Sequence, residues 1–221
     1  MSDTDSFIEE VTEEVRRDRL FALMRRYGWI AVLAVILIVG GTAWNEWRKA
    51  QDRAQAEAFG DAILGALEAG DRAARATALS DIDAPNQGAG GVLDLLTAAE
   101  QTAGSPQEAA ARLLSLADSE AIAPVYRQIA TLKAVALPDS GLDVDERRSR
   151  LQGLALANGL TRLLAEEQLA LIDVETGDSA AALERLTAIV KDAEATVSLR
   201  RRATQVIVAL GGELPDTGQG G

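Results

Sequence analysis

The side chains most available for chemistry in this 221-residue chain are its 34 Asp and Glu carboxylates, because it contains no His and no Cys. A glycosidase-like pair of carboxylates would need a carbohydrate cleft rich in aromatic residues, and beyond Trp47 only Phe59 and Tyr126 are aromatic. Without His and Cys, the His-based triads, thiol nucleophiles, disulfides and nearly all transition-metal sites drop out, while the redox compartment stays open. The stretch DVDERR from Asp143 spaces two acids as a calcium loop does, but Arg148 stands where the sharp turn needs Gly. It is expected to be an acidic helix start. Gly88 to Gly91, GAGG, lacks the Gly-Lys-Ser/Thr ending of a phosphate loop and is also expected to open a helix. Arg200, Arg201 and Arg202 are expected to form a solvated helix face rather than an anion site. The expectation is a protein that is not an enzyme, with no catalytic residue, cofactor, metal or small-molecule substrate. A membrane-anchored carboxylate hydrolase is the rival from another class. From Ala50 onward 26 acids oppose 15 bases, a surface that repels phosphate backbones, so no nucleic acid is expected.

With chemistry set aside, the elements that could present a binding surface decide the function. Tyr27 to Asn45 holds no formal charge, and residues 27–47 as a helix span about 31 Å at 1.5 Å per residue, the thickness of a bilayer core. Ile30, Val32, Leu33, Val35, Ile36, Leu37, Ile38 and Val39 together favour insertion by roughly 2.4 to 5 kcal/mol. Tyr27 and Trp29 at one end, and Trp44 and Trp47 at the other, have the spacing of membrane-interface belts. A cleaved signal would carry a short basic leader. Here about 26 residues precede the run and include seven acids, so a permanent transmembrane helix is expected, with cleavage after Gly41-Thr42-Ala43 as the alternative.

Arg16, Arg17, Arg19, Arg25 and Arg26 precede the span, against Arg48, Lys49 and Arg53 after it. This excess is expected to determine the topology, with the N-terminus cytoplasmic and the larger domain across the membrane. The leading segment patterns as an amphipathic helix, with Ser6 and Glu9 as a capping box and Glu13 placed to pair with Arg16 and Arg17.

The remainder reads as all-α, with no period-2 strand. Ala56, Phe59, Ile63 and Leu67 form one stripe, and with no Pro before them this helix is expected to continue directly from the anchor. Ser105-Pro106-Gln107-Glu108 combines an N-cap, a first-turn Pro and a capping-box Glu, Pro124 opens another helix, and Leu137-Pro138 closes one. Gly70, Gly104, Gly141 and Gly177 recur at separations of 34, 37 and 36 residues, near the period of tetratricopeptide hairpins. After Gly104 and Gly177, the small residues Ala109 and Ala182 precede Leu113 and Leu186 at matching offsets, where close helix packing is expected. The equivalent places after Gly70 and Gly141 carry Arg75 with Leu79 and Glu146 with Arg150, so these two units are degenerate, and an irregular helical bundle is the alternative. The expected organisation is a cytoplasmic amphipathic segment over 1–26, a single transmembrane helix over 27–47, a tetratricopeptide-like helical-hairpin repeat domain over 48–211 and a disordered tail over 212–221.

SFIEEVTEEVRRDRLFALMRRYG before the span, NEWRKAQDRAQAEAF after it and the degenerate hairpins beyond together resemble the YfgM-type family of ancillary SecYEG translocon subunits. The resemblance covers nearly the whole chain and rests on architecture more than on invariant motifs. It implies a single-pass protein of the bacterial inner membrane with a periplasmic repeat domain. It also implies protein partners in the SecYEG translocon and a PpiD-type periplasmic chaperone, with the lipid bilayer as the anchoring medium. An envelope scaffold such as a cell-division coordinator is the alternative within the binding class.

Overall fold

The structure, a computed structural model, describes residues 3–214, with side chains described for 24–30 and 33–214. Among these residues every regular element is helical: α1 Asp3–Leu67, α2 Arg72–Ser80, α3 Gln87–Gln101, α4 Pro106–Asp118, α5 Pro124–Ala136, α6 Val144–Ala155, α7 Gly159–Glu175, α8 Ser179–Lys191 and α9 Val197–Ala209. The chain divides into two compact units, Met1–Ala58 and Phe59–Gly221.

The first unit is the greater part of α1. With no Pro from Asp3 to Leu67, no helix hydrogen bond is lost, and α1 runs through the apolar stretch, Gly40-Gly41 included, without interruption. Ser6 therefore lies inside the helix instead of capping it, because α1 already begins at Asp3. Near the N-terminus the helix is long and apolar enough to cross a membrane, with a mean hydropathy of 1.9 over its best window and none of that window buried. Thr42 makes its hydroxyl compatible with this stretch by donating to the Val39 carbonyl at 2.9 Å.

In the second unit the helices begin where the sequence supplies acceptors for their free amides. Side chains of Asp71, Asn86, Asp143, Asp178 and Thr196 cap α2, α3, α6, α8 and α9. Gly88 to Gly91 lie in the opening turns of α3 and Asp143 caps α6, so both stretches are helix starts. Ser105 stands at the N-cap of α4 without making a side-chain bond, and Pro106, whose missing N–H needs no partner, sets the start. At the other end of α7, Gly177 takes φ +83°. Asp178 N–H then reaches the Asp173 carbonyl at 2.8 Å and Gly177 N–H the Val174 carbonyl at 3.1 Å, closing the last turn.

Short turns between packed helices make chain neighbours antiparallel, and each helix from α2 to α9 packs on the next, with α3 against α5 and α5 against α7 in addition. Four apolar clusters follow in chain order. Ala66, Leu79 and Leu93 join the end of α1 to α2 and α3. Leu113, Leu116 and Ala130 join α4 to α5, with Ala98 from α3. Val135, Leu151 and Leu169 join α5, α6 and α7, and Leu163, Leu186, Leu199 and Ile207 join α7, α8 and α9. Helices α3, α5 and α7 each serve two clusters, which explains why Ala98, Ala130, Ala134, Ala165 and Ala170 are buried with almost no exposed surface: a helix packed on two faces needs small residues for close approach.

Candidate interaction surface

Along α1, Tyr27 and Trp29 are separated from Trp44 and Trp47 by the charge-free stretch, and all four rings are about half exposed or more. The Trp44 and Trp47 rings lie 5.3 Å apart in a tilted pair, and the Arg26 guanidinium stands over the Tyr27 ring at 5.8 Å. An aromatic face with a cation above it keeps an apolar body beside a polar tip, the property that suits a membrane boundary. Arg25 and Arg26 have described side chains, whereas those of Arg16, Arg17 and Arg19 lie outside the described residues. So does the tail from residue 215 onward.

In the helical unit the four turn glycines occupy every second connection: Gly70 between α1 and α2, Gly104 between α3 and α4, Gly141 between α5 and α6, Gly177 between α7 and α8. Only Gly141 and Gly177 have positive φ, so the recurrence is one of position more than of backbone conformation. Ala109 and Ala182 have no exposed surface, and a larger side chain at either would push neighbouring helices apart. At the degenerate offsets charge replaces small size. Arg75 of α2 reaches Glu100 of α3 at 2.8 Å, and Arg150 of α6 reaches both Asp118 of α4 at 3.0 Å and Glu146 one turn back at 3.2 Å.

A separate and larger set of pairs is centred on α7. Asp173, only 2% exposed, accepts from Arg148 of α6 at 2.6 Å and from Arg185 of α8 at 2.9 Å. Arg185 also reaches Glu166 at 2.6 Å. Burial works against the charge on Arg185, and its hydrogen bonds to Glu166 and Asp173 outweigh that, so its pKa is raised. Glu167 takes Arg202 of α9 in a bidentate pair at 2.8 and 2.7 Å. Arg162 donates to Asp192, the C-cap of α8, at 2.8 Å and to Glu194 at 3.2 Å. The hydrogen bond from Arg162, and then the backbone N–H of Glu194, hold the Asp192 carboxyl below its usual range.

The network corrects one expectation. Of the three arginines 200–202, Arg202 is paired with Glu167, and Arg200 donates to the carbonyls of Asp192 and Ala193 at 3.0 and 3.3 Å. Two of the three therefore tie α9 to the rest of the unit, while Arg201 and the half-exposed Arg202 still face solvent as expected. Sequence reasoning missed Asp173 and Glu167 altogether. The usable signal was that both fall on α7 amid residues that pack into the core, where an acid requires a cation from a facing helix.

Because these guanidinium groups bridge neighbouring helices, they rigidify the array and are not free to act on a ligand. Grooves are left open beside them, among them one of about 240 Å³ lined by Arg72, Ala76, Glu100 and Glu108 and two larger ones. One, of about 340 Å³, lies between α7 and α8, with Leu163 and Ile189 in its floor and Glu184 and Arg185 on its sides. The other, of about 440 Å³, lies between α3 and α4 and is bounded by Asp94, Glu108 and Arg112. Among the described residues no group of three acids is placed to hold a metal ion. No protein-family model, no curated protein and no solved structure matches the chain.

Proposed function

We propose that this chain is a single-pass membrane protein of the YfgM type, whose α1 spans the inner membrane with its N-terminus in the cytoplasm and whose helical unit acts in the periplasm as a protein-interaction module. The carrying observation is the contrast in exposure: Ile30, Leu33 and Val35 to Val39 are 45% to 66% exposed in one near-continuous run, while the second unit has a buried core and its exposed aliphatic residues, such as Leu156 and Val197, are scattered along the chain. An exposed apolar run of that size is stable only when something apolar covers it, and its length fits a bilayer. Orientation rests on the excess of Arg before the span. A tetratricopeptide-like reading of the second unit is supported by turn glycines in alternate connections and by helices that each pack on their chain neighbours. Tethering such an array to the membrane raises its effective concentration toward membrane-bound partners, and the resemblance of the juxtamembrane segments points to the SecYEG translocon and a PpiD-type chaperone as those partners.

The test is photo-crosslinking in cells from Gln55, an exposed residue of α1. Adducts with translocon or chaperone subunits are expected. Adducts confined to cell-division or wall-synthesis proteins would replace this reading with an envelope scaffold, and hydrolytic turnover by the purified chain would replace it with an enzyme.

A further inference from the structure

The α3/α4 and α7/α8 grooves share a pattern. In each, four lining residues of the second helix stand 4, 7, 8 and 11 positions after the turn glycine: Glu108, Ala111, Arg112 and Ser115 after Gly104, and Ala181, Glu184, Arg185 and Ala188 after Gly177, with Ile189 in addition on α8. The arginine at the eighth position is held in the same way in both. Arg112 donates through Nε to Gln101 at 3.4 Å and through Nη1 to Asp94 at 2.9 Å. Arg185 donates through Nε to Asp173 at 2.9 Å and through Nη1 to Glu166 at 2.6 Å. In both cases the Nε acceptor sits in the last turns of the preceding helix and the Nη1 acceptor two turns earlier. Helical pairs of unrelated origin have no reason to repeat a guanidinium with two acceptors at matched positions and a small-residue groove beside it.

Each groove also carries one carboxylate that enters no ion pair among the described residues, at different places along the second helix: Glu108, 4 positions after Gly104, in the first and Glu184, 7 positions after Gly177, in the second. The neighbouring guanidinium is held through Nε and Nη1 by acceptors on the preceding helix and makes no ion pair with it. We propose that the α3/α4 and α7/α8 grooves are paired subsites for Lys or Arg side chains on a cationic segment of a partner protein. The aliphatic stem of such a side chain would lie on Ala111 and Ser115, or on Ala181 and Ala188, with its charged end at Glu108 or Glu184. Charge complementarity over the whole unit favours the same occupant: from Phe59 onward the sequence carries 24 acids against 14 bases. An anionic segment is disfavoured, since the arginines that could receive it are occupied by carboxylates. One exposed carboxylate contributes little by itself, so the duplication matters: two weak contacts made by one chain reinforce each other.

This inference rests on the interaction-module reading and names its ligand chemistry. The test measures fluorescence anisotropy of a dye-labelled lysine–alanine peptide with the full chain in uncharged detergent micelles, against a glutamate–alanine peptide of equal length. The lysine peptide is expected to bind and to weaken as salt rises. Glu108→Gln and Glu184→Gln are each expected to lower affinity by about twofold to fivefold. The double variant should lose about the product of the two, with helical content unchanged by circular dichroism. Glu120→Gln removes the same charge from an exposed acid outside both grooves and is expected to bind as the parent does. Equal binding by the parent and the double variant, an equal loss in Glu120→Gln, or preference for the glutamate peptide would each overturn the proposal. Failure here is separable from failure of the module reading: Gln55 crosslinks that persist unchanged in the double variant remove the grooves and keep the module, whereas no crosslinks from the parent chain remove the module itself.

Discussion

Ile36 and Ile207 are the same side chain in opposite surroundings, the first 60% exposed on α1 and the second fully buried between α7, α8 and α9. Nothing about isoleucine distinguishes them; the pattern around each does. Ile36 sits in a run of consecutive apolar residues that makes its helix apolar on every side, which a water-facing helix cannot sustain. Ile207 sits where apolar residues recur on one face of α9, with Arg200, Arg201 and Gln205 elsewhere on the helix, so one face is buried and the other solvated. The comparison teaches that the same hydrophobic effect acts on both units with different covering media, protein in one and, on the proposed reading, lipid in the other.

Mutations that should matter in one unit and not in the other give the sharpest break. Leu186→Ala removes a fully buried side chain from the α7–α9 core and should lower the stability of the helical unit by about 2 to 5 kcal/mol in urea unfolding. Ile36→Ala is the matched control and should leave that transition where it is. Ile36→Lys reverses the roles: it should disfavour insertion by about 3 to 4 kcal/mol, detected as release into the soluble fraction, with the unfolding transition of the second unit unchanged.

Smaller effects probe the polar network. Asp173→Asn weakens two arginine contacts at once and should cost about 1 to 3 kcal/mol. The figure stays below that of a fully buried pair because the Arg148 and Arg185 side chains are 28% and 31% exposed and can rehydrate. The smallest effect separates two glycines that look equivalent in sequence. Gly177→Ala forces an L-residue into φ +83° and should cost about 1 to 2 kcal/mol, whereas Gly70→Ala, with no positive φ and open space around it, should be nearly silent. Equal costs at the two positions would mean that the turns are conformationally alike after all.

How far the sequence carried this account depends on whether a feature is local. The uninterrupted course from the apolar run to Leu67, the helix starts at Pro106, Pro124 and Asp143 and the stop at Leu137-Pro138 all follow from one or two neighbouring residues, and the structure places them there. Caps were less legible. Ser6 matched a capping box, yet the helix had already begun, and Ser105 held the right place without making the bond. A cap motif states that an amide can be satisfied, not that the chain needs it to be. The ion pairs that join different helices were illegible because their partners are 12 to 35 residues apart in sequence, as with Arg185 and Arg202 reaching α7. The matched grooves were half legible: the Ala109/Leu113 and Ala182/Leu186 correspondence marked the two units that carry them, but the guanidinium acceptors emerge only once α3 and α7 are in place.

Carbonate extraction of membranes from cells making the full chain tests the central claim most directly. If the exposed run of α1 is covered by lipid, the protein stays with the membrane pellet at high pH. Recovery of the intact chain in the supernatant would contradict the account.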